Sequence, residues 1–206
     1  MRRAYLNKFM HPEHVLTRPW YRQWNKFKLR MFGVALGDEA NIGSKLYFYN
    51  GEGSKCVIGK HFEVNSGDNF NPLSSNIRTS IRVEDNALLI IGDWCGISSG
   101  TIWATESIKI GSCVNIGANC IIMDGDMHNI DWKIRFDDRI NIGRDNYNSK
   151  PIQIDDHAWI GTGCIVLKGV HIGERSIIGA GSVVTHDIPA DCIAVGNPCK
   201  IIKALV

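Results

Sequence analysis

Two carboxylates and an imidazole fall within five residues of this chain, in Met123-Asp124-Gly125-Asp126-Met127-His128-Asn129. Imidazole titrates near neutrality, so His128 can act as a general base toward a weakly acidic proton. Asp126 lies two residues away. In an extended segment it shares a face with His128, where a carboxylate can orient the ring and stabilise its protonated form. Asp124 falls on the same side and is a further candidate, for that role or for contact with a bound substrate. The plain alternative is a polar loop histidine. A metal site is the other alternative, but no second cluster completes a ligand set. The next histidine, His157, is 29 residues on. A cysteine nucleophile has little support, since Cys113, Cys120 and Cys164 have no histidine at a telling spacing.

The elements that must position this cluster show as a rhythm with a gap in it. Ile154, Ile160, Val166, Ile172, Ile178 and Val184 recur every six residues. Ala158, Cys164, Val170, Ser176 and Ser182 follow the first five at a distance of four. Ile91, Ile97, Ile110, Ile116 and Ile122 form an earlier series, with a one-residue slip at Trp103. A helix has no reason to keep a period of six, and a plain strand needs no glycine at a fixed phase. The period predicts a solenoid of short flat strands, each coil burying its aliphatics against the next. Glycine is expected where the backbone turns and a β-carbon would obstruct it. From Ile122 to Ile154 the rhythm is absent for 32 residues, too long for a corner and of the kind that carries function. The excursion spans about 123–151. Its later part is charged and polar, with Trp132, Phe136 and Tyr147 as anchors.

The series Ile154-Asp155-Asp156-His157-Ala158-Trp159-Ile160-Gly161, Lys168-Gly169-Val170-His171-Ile172-Gly173, Ile178-Gly179-Ala180-Gly181-Ser182-Val183-Val184-Thr185 and Gly196-Asn197-Pro198-Cys199-Lys200-Ile201-Ile202-Lys203 resembles the hexapeptide-repeat acyltransferases. It is similar above all to the sugar and polysaccharide O-acetyltransferase branch related to galactoside and maltose acetyltransferases. The match is specific over about 85–206 and loose over 36–84, where residues 65–80 break the period. The resemblance implies an all-β fold, a left-handed parallel β-helix, assembled as a homotrimer with acetyl-CoA as co-substrate and no metal. Handedness comes from the resemblance alone, because the general rule for parallel crossovers favours the right-handed form.

The same resemblance implies that His128, on an excursion at this place in the repeat, takes a proton from a sugar hydroxyl as it attacks the thioester. Backbone N–H groups would stabilise the resulting oxyanion. Gly161, Thr162 and Ala180 match positions along the pantetheine arm. Thr185, His186, Lys200 and Lys203 match the nucleotide and phosphate region, where cations suit phosphates. Ser98 and Ser99, one coil earlier, match acceptor-side positions, and Trp103 and Trp132 are candidates to stack on a sugar ring. N-acyl transfer to an amino sugar and a non-catalytic β-helix scaffold are the alternatives. The related β-helix carbonic anhydrases need several spaced histidines that this pattern lacks.

Residues 1–35 form a separate basic arm ahead of a 36–206 β-helix unit. Residues 1–36 hold Arg2, Arg3, Lys8, Arg18, Arg22, Lys26, Lys28 and Arg30 against Glu13 alone. Thr17 as N-cap, Pro19 in the first turn and Gly33 as a stop predict a helix between them. On it Trp20, Trp24, Phe27 and Met31 make one apolar stripe. The stripe is expected to cover an end or side of the main body; a peripheral membrane contact through this helix is the alternative. A net charge of +2 over 206 residues argues against nucleic-acid binding. Seven cysteines without a CxxC pair point to reduced, buried thiols rather than disulfides. No apolar run reaches the roughly 20 residues that span a bilayer, and no secretory signal is visible, so the expected location is cytoplasmic.

Overall fold

The computed structural model describes residues 12–66, 73, 77–141 and 148–205. Tyr147 and the basic residues Arg2, Arg3 and Lys8 lie outside them. The chain winds as a left-handed parallel β-helix. One sheet stacks Ala35–Leu36, Lys55–Ile58, Leu88–Ile91, Ser107–Ile110, Ile152–Ile154 and His171–Ile172. A second stacks Glu63–Asn65, Gly96–Ser98, Asn115–Ile116, Trp159–Ile160, Ile177–Ile178 and Cys192–Val195, and ends on the antiparallel strand Lys200–Ala204. The third stacks Leu46–Asn50, Thr79–Val83, Thr101–Ala104, Ile121–Met123, Ile165–Val166 and Val183–Val184. The register pairs like with like. Ile116 lies beside Ile160 and Ile160 beside Ile178, while Ile122 lies beside Val166 and Val166 beside Val184.

The six-residue series points inward as its period requires. Ile154, Ile160, Val166, Ile172, Ile178 and Val184 are all buried, as are Ala158, Cys164, Val170, Ser176 and Ser182 between them. At the slip, Ile102 and Ala104 take the inward positions and Trp103 faces out. The loosely patterned stretch 36–84 belongs to the same stack. Tyr47 pairs with Ser80 in register, so the break in the period between them does not shift the coil. Burial pushes the Cys56 thiol up to about 12 and the Cys95 thiol to about 11, so these cysteines are inert packing groups.

At the corner between the first and second sheets, glycine serves close approach rather than the turn itself. The left-handed residues there include Cys113, His157 and Arg175, with φ of 59°, 61° and 57°. Each donates its N–H to the coil before: Cys113 to Asp93 O, His157 to Ser112 O, Arg175 to Asp156 O. Gly111 instead makes room for Asp156, whose carboxylate accepts from Ser112 N at 2.7 Å. A β-carbon at Gly111 would stand 2.2 Å from that carboxylate oxygen.

Helix α1 (Pro12–Met31) closes the N-terminal end of the stack. It begins at Pro12, ahead of the expected start, and carries Pro19 inside. Thr17 is therefore helical and not the N-cap. Its end is a Schellman motif: Val34 N bonds Leu29 O, Gly33 N bonds Arg30 O, and Gly33 has φ +76°. Among the described residues no coil precedes the first to satisfy its outward-directed carbonyls. Asn25 Nδ2 donates to Ile42 O (2.9 Å) and Ser44 O (2.8 Å), and Lys28 Nζ to Leu46 O (2.7 Å). Burial, and then the charge of Arg78, holds the Lys28 ammonium below its ordinary value. Leu29 supplies the apolar plug. The helix thus caps the stack, but with the face opposite to the one expected. Trp20, Trp24, Phe27 and Met31 are exposed. Among the described residues no helix is long and apolar enough to cross a membrane.

Candidate active site

The excursion leaves the corner between the third and first sheets after Met123. Its base is closed by backbone: Lys150 N donates to Asp124 O (2.8 Å), and Gly169 N to Lys150 O (3.0 Å). Asp124 lies under this base and is completely buried. One carboxylate oxygen accepts from Thr105 N (2.6 Å) and Thr105 Oγ1 (2.7 Å), the other from Glu106 N (2.9 Å) and Ser107 N (2.7 Å). Such a nest of donors satisfies a buried carboxylate. Asp124 therefore builds the corner, and the expectation that it contacts substrate or His128 is corrected.

Asp126 is also differently placed from the expectation. Its carboxylate accepts from Lys168 Nζ at 2.5 Å and from Asn148 Nδ2 at 2.8 Å, not from His128. Lys168 Nζ donates in addition to Asn148 O at 2.8 Å. One ammonium on the following coil thus holds the outgoing and returning limbs of the excursion. Thr105 Oγ1 and Ser149 Oγ add a 2.7 Å bond.

Above this clamp the chain turns at Met127, whose φ of 59° lies in the left-handed region, and His128 is exposed. Asn129 and Asp131 then start a helix that the sequence reading treated as polar loop, α2 (Trp132–Asn141). Asp131 is its N-cap, accepting from Lys133 N at 2.8 Å. Arg135 Nη1 reaches back to Asn129 O at 2.9 Å and ties the helix to the segment carrying His128. His128, Trp132, Arg135 and Phe136 line an open cleft of about 380 Å³. Trp132 is thereby brought beside His128, as a sugar-stacking residue would need. Arg135, Phe136 (read only as a loop anchor) and Lys168 were missed as site residues. An Asp followed by Trp132 and Phe136 four apart is a short helix signal that could have revealed the first two.

The remaining candidates are spread over the stack. Trp103 is engaged: its Nε1 donates to Glu84 Oε1 at 2.8 Å, and the Arg82 guanidinium lies 5.4 Å over its ring. Hydrogen bonding to Glu84 raises Arg82 above its ordinary value. Trp103, a candidate to stack on a sugar ring, thus sits in a polar cluster away from the His128 cleft. Ser99 is buried, with φ 46°, and makes a corner; it offers no acceptor contact in this chain. Ser98 lines a separate groove of about 400 Å³ with Asn65, Asn115 and Trp159. Gly161 packs against the Ala180 backbone, and with Thr162 it marks the corner between the second and third sheets. Thr185 Oγ1 bonds His186 Nδ1 at 2.8 Å on the same corner line as the excursion. Lys200 and Lys203 are exposed on the last strand. None of these donor-side candidates lines the His128 cleft. Among the described residues no group of three or more His, Cys, Asp or Glu could hold a metal ion.

Residues 151–186 match the bacterial transferase hexapeptide (six repeats). In that stretch the chain carries the six-residue repeat of this family. Its curated relatives include a putative acetyltransferase of Schizosaccharomyces pombe, 46% identical over 98 residues, covering 48% of this chain and 44% of that one. The polysialic acid O-acetyltransferase of Escherichia coli O1:K1 is 38% identical over 132 residues, covering 63% and 41%. The chain spans about half the length of the curated relatives it matches. Among solved structures, the hexapeptide-repeat acetyltransferase of Vibrio cholerae O1 biovar eltor, complexed with acetyl coenzyme A, is 25% identical with a TM-score of 0.52. The alignment covers 88% of this chain and 76% of that one.

Proposed function

We propose that this protein transfers an acetyl group from acetyl-CoA to a hydroxyl of a sugar or glycan, with His128 as general base. The observation that carries the reading is the placement of His128. It is the exposed imidazole on a clamped excursion from a hexapeptide β-helix, in a cleft beside an exposed tryptophan. In the step, His128 accepts the hydroxyl proton as the oxygen attacks the thioester carbonyl; the C–S bond breaks and the proton passes on to the departing thiolate. Arg135 and Lys168 are positioning groups: they hold the chain on either side of the imidazole. The acetyl-CoA complex of the Vibrio relative supports the donor, and the name of the Escherichia coli relative supports a glycan hydroxyl as acceptor.

Gly161, Thr162 and Ala180 are read as donor-side groups along the pantetheine arm, with Thr185, His186, Lys200 and Lys203 toward the nucleotide and phosphates. Gly161, Thr162 and Ala180 follow strands of the second sheet, whereas His128 follows one of the third. A homotrimer that seats the donor between neighbouring copies accounts for this separation.

The test is a His128→Ala variant assayed by free-thiol release from acetyl-CoA over a panel of sugars, sugar nucleotides and lipid-linked glycans. Coenzyme binding and the circular dichroism spectrum are expected to stay as in the wild type, while transfer falls by at least roughly 10². Near-normal turnover overturns the mechanism.

A further inference from the structure

The outer face of α1 carries a run of large, exposed apolar side chains. Trp20, Trp24, Phe27 and Met31 recur at intervals of four, three and four, so they form one stripe. They are 59%, 46%, 56% and 70% exposed. The rings are already ordered against one another. Trp20 and Trp24 stack with centroids 5.8 Å apart, and Trp24 and Phe27 lie 6.0 Å apart. A contiguous aromatic patch of this kind on a water-soluble surface marks an interaction site.

Two features say what covers it. The first is direction. Asn25 and Lys28 dock the helix onto carbonyls of the first coil that a preceding coil would otherwise take. The helix stands where that coil would stand, so its opposite face looks outward along the stack axis. Copies of the β-helix packed side by side through their sheets leave this end uncovered and, with axes parallel, present their stripes in one plane. The second is charge. Lys26 and Arg30 flank the stripe, neither makes an ion pair among the described residues, and residues 17–31 contain no acid. Tryptophan at the polar–apolar boundary with lysine and arginine beside it is the composition of a helix lying in a lipid interface.

We propose that α1 docks the protein onto an anionic bilayer surface. The stripe enters the headgroup region, Lys26 and Arg30 meet acidic lipid headgroups, and the helix lies in the plane without crossing.

The full chain and a Trp20→Ser/Trp24→Ser variant are floated with phosphatidylcholine vesicles, with and without phosphatidylglycerol. Their mass in solution is measured by light scattering. Both side chains are exposed, so the variant retains the wild-type circular dichroism spectrum. The wild type is expected to float with phosphatidylglycerol vesicles and to be released by salt, as charge screening requires. The variant loses at least roughly tenfold of that binding at unchanged oligomeric mass, and a Lys26→Gln/Arg30→Gln variant loses it on acidic vesicles. Failure of the wild type to float overturns the proposal. So does equal flotation of the tryptophan variant, or a drop in its oligomeric mass, which would assign the stripe to a second copy. Thiol release to a soluble acceptor is expected to be the same in the tryptophan variant and the wild type, so this result stands apart from that of His128→Ala.

Discussion

The residues that look alike in Asp124-Gly125-Asp126-Met127-His128 have three different fates, and burial separates them. Asp124 is enclosed and accepts four hydrogen bonds from Thr105, Glu106 and Ser107. Asp126 is partly exposed and salt-bridged to Lys168. His128 faces solvent in the cleft. Sequence spacing could place all three on one side of an extended segment, but it could not show that the segment turns at Met127. Asp124→Asn is the sharp test of the first fate. The amide keeps the shape but replaces one acceptor oxygen with a donor group, which then faces N–H groups of the 105–107 turn. Leaving buried donors unpaired costs about 1–3 kcal/mol. Urea denaturation is expected to show a loss of that order, with the slope of the transition unchanged. An unchanged midpoint would mean the nest does not support the corner.

At the scale of elements, the β-helix was legible because its inward positions are read by period alone, and 152–186 keeps that period without insertions. The coils of 36–84 were only loosely legible, since the residues from Ser66 to Ile77 push Tyr47 and Ser80 apart in sequence while leaving them side by side. Helix α2 was hidden because it is short and lies in a charged stretch, where Trp132 and Phe136 read as loop anchors. Helix α1 was found, but its inner face was misjudged. What this stack end needs is donors for open carbonyls, so Asn25 and Lys28 face inward and the aromatics outward. The excursion's limits were legible as a gap in the period; its clamp was not, since Lys168 sits in the repeat and reads as an ordinary surface lysine. The clamp predicts that Lys168→Met will lower kcat by roughly 10-fold to 10²-fold, in line with small misplacements of reacting groups. KM for acetyl-CoA is expected to change little, because the residues proposed for the donor side do not line the His128 cleft. Lys168→Arg is expected to recover part of kcat. A lysine that merely stabilised the fold would instead shift the melting temperature without this split between kcat and KM.

For the whole molecule, each coil borrows its core from its neighbours, which makes stability a property of the stack. Ile160 shows this. It is fully buried between Ile116 of the coil before and Ile178 of the coil after. Truncation to alanine removes contacts on both sides, and flat strands held by register cannot close the gap. A cost of about 2–5 kcal/mol is expected for Ile160→Ala. The loss should be felt far from the site. Trp20 and Trp24 report from the cap at one end, and Trp159 sits next to Ile160. If cap and coils form one cooperative unit, tryptophan fluorescence and far-ultraviolet circular dichroism will move together to a lower denaturant midpoint in the variant. A vesicle-binding cap that folded on its own would give two midpoints, with the circular dichroism change falling first in Ile160→Ala and part of the fluorescence change staying at the wild-type position. Coincident curves would show that the helix carrying the aromatic stripe and the coils carrying His128 stand or fall together. In that case ligands that bind the folded coils should also protect the cap.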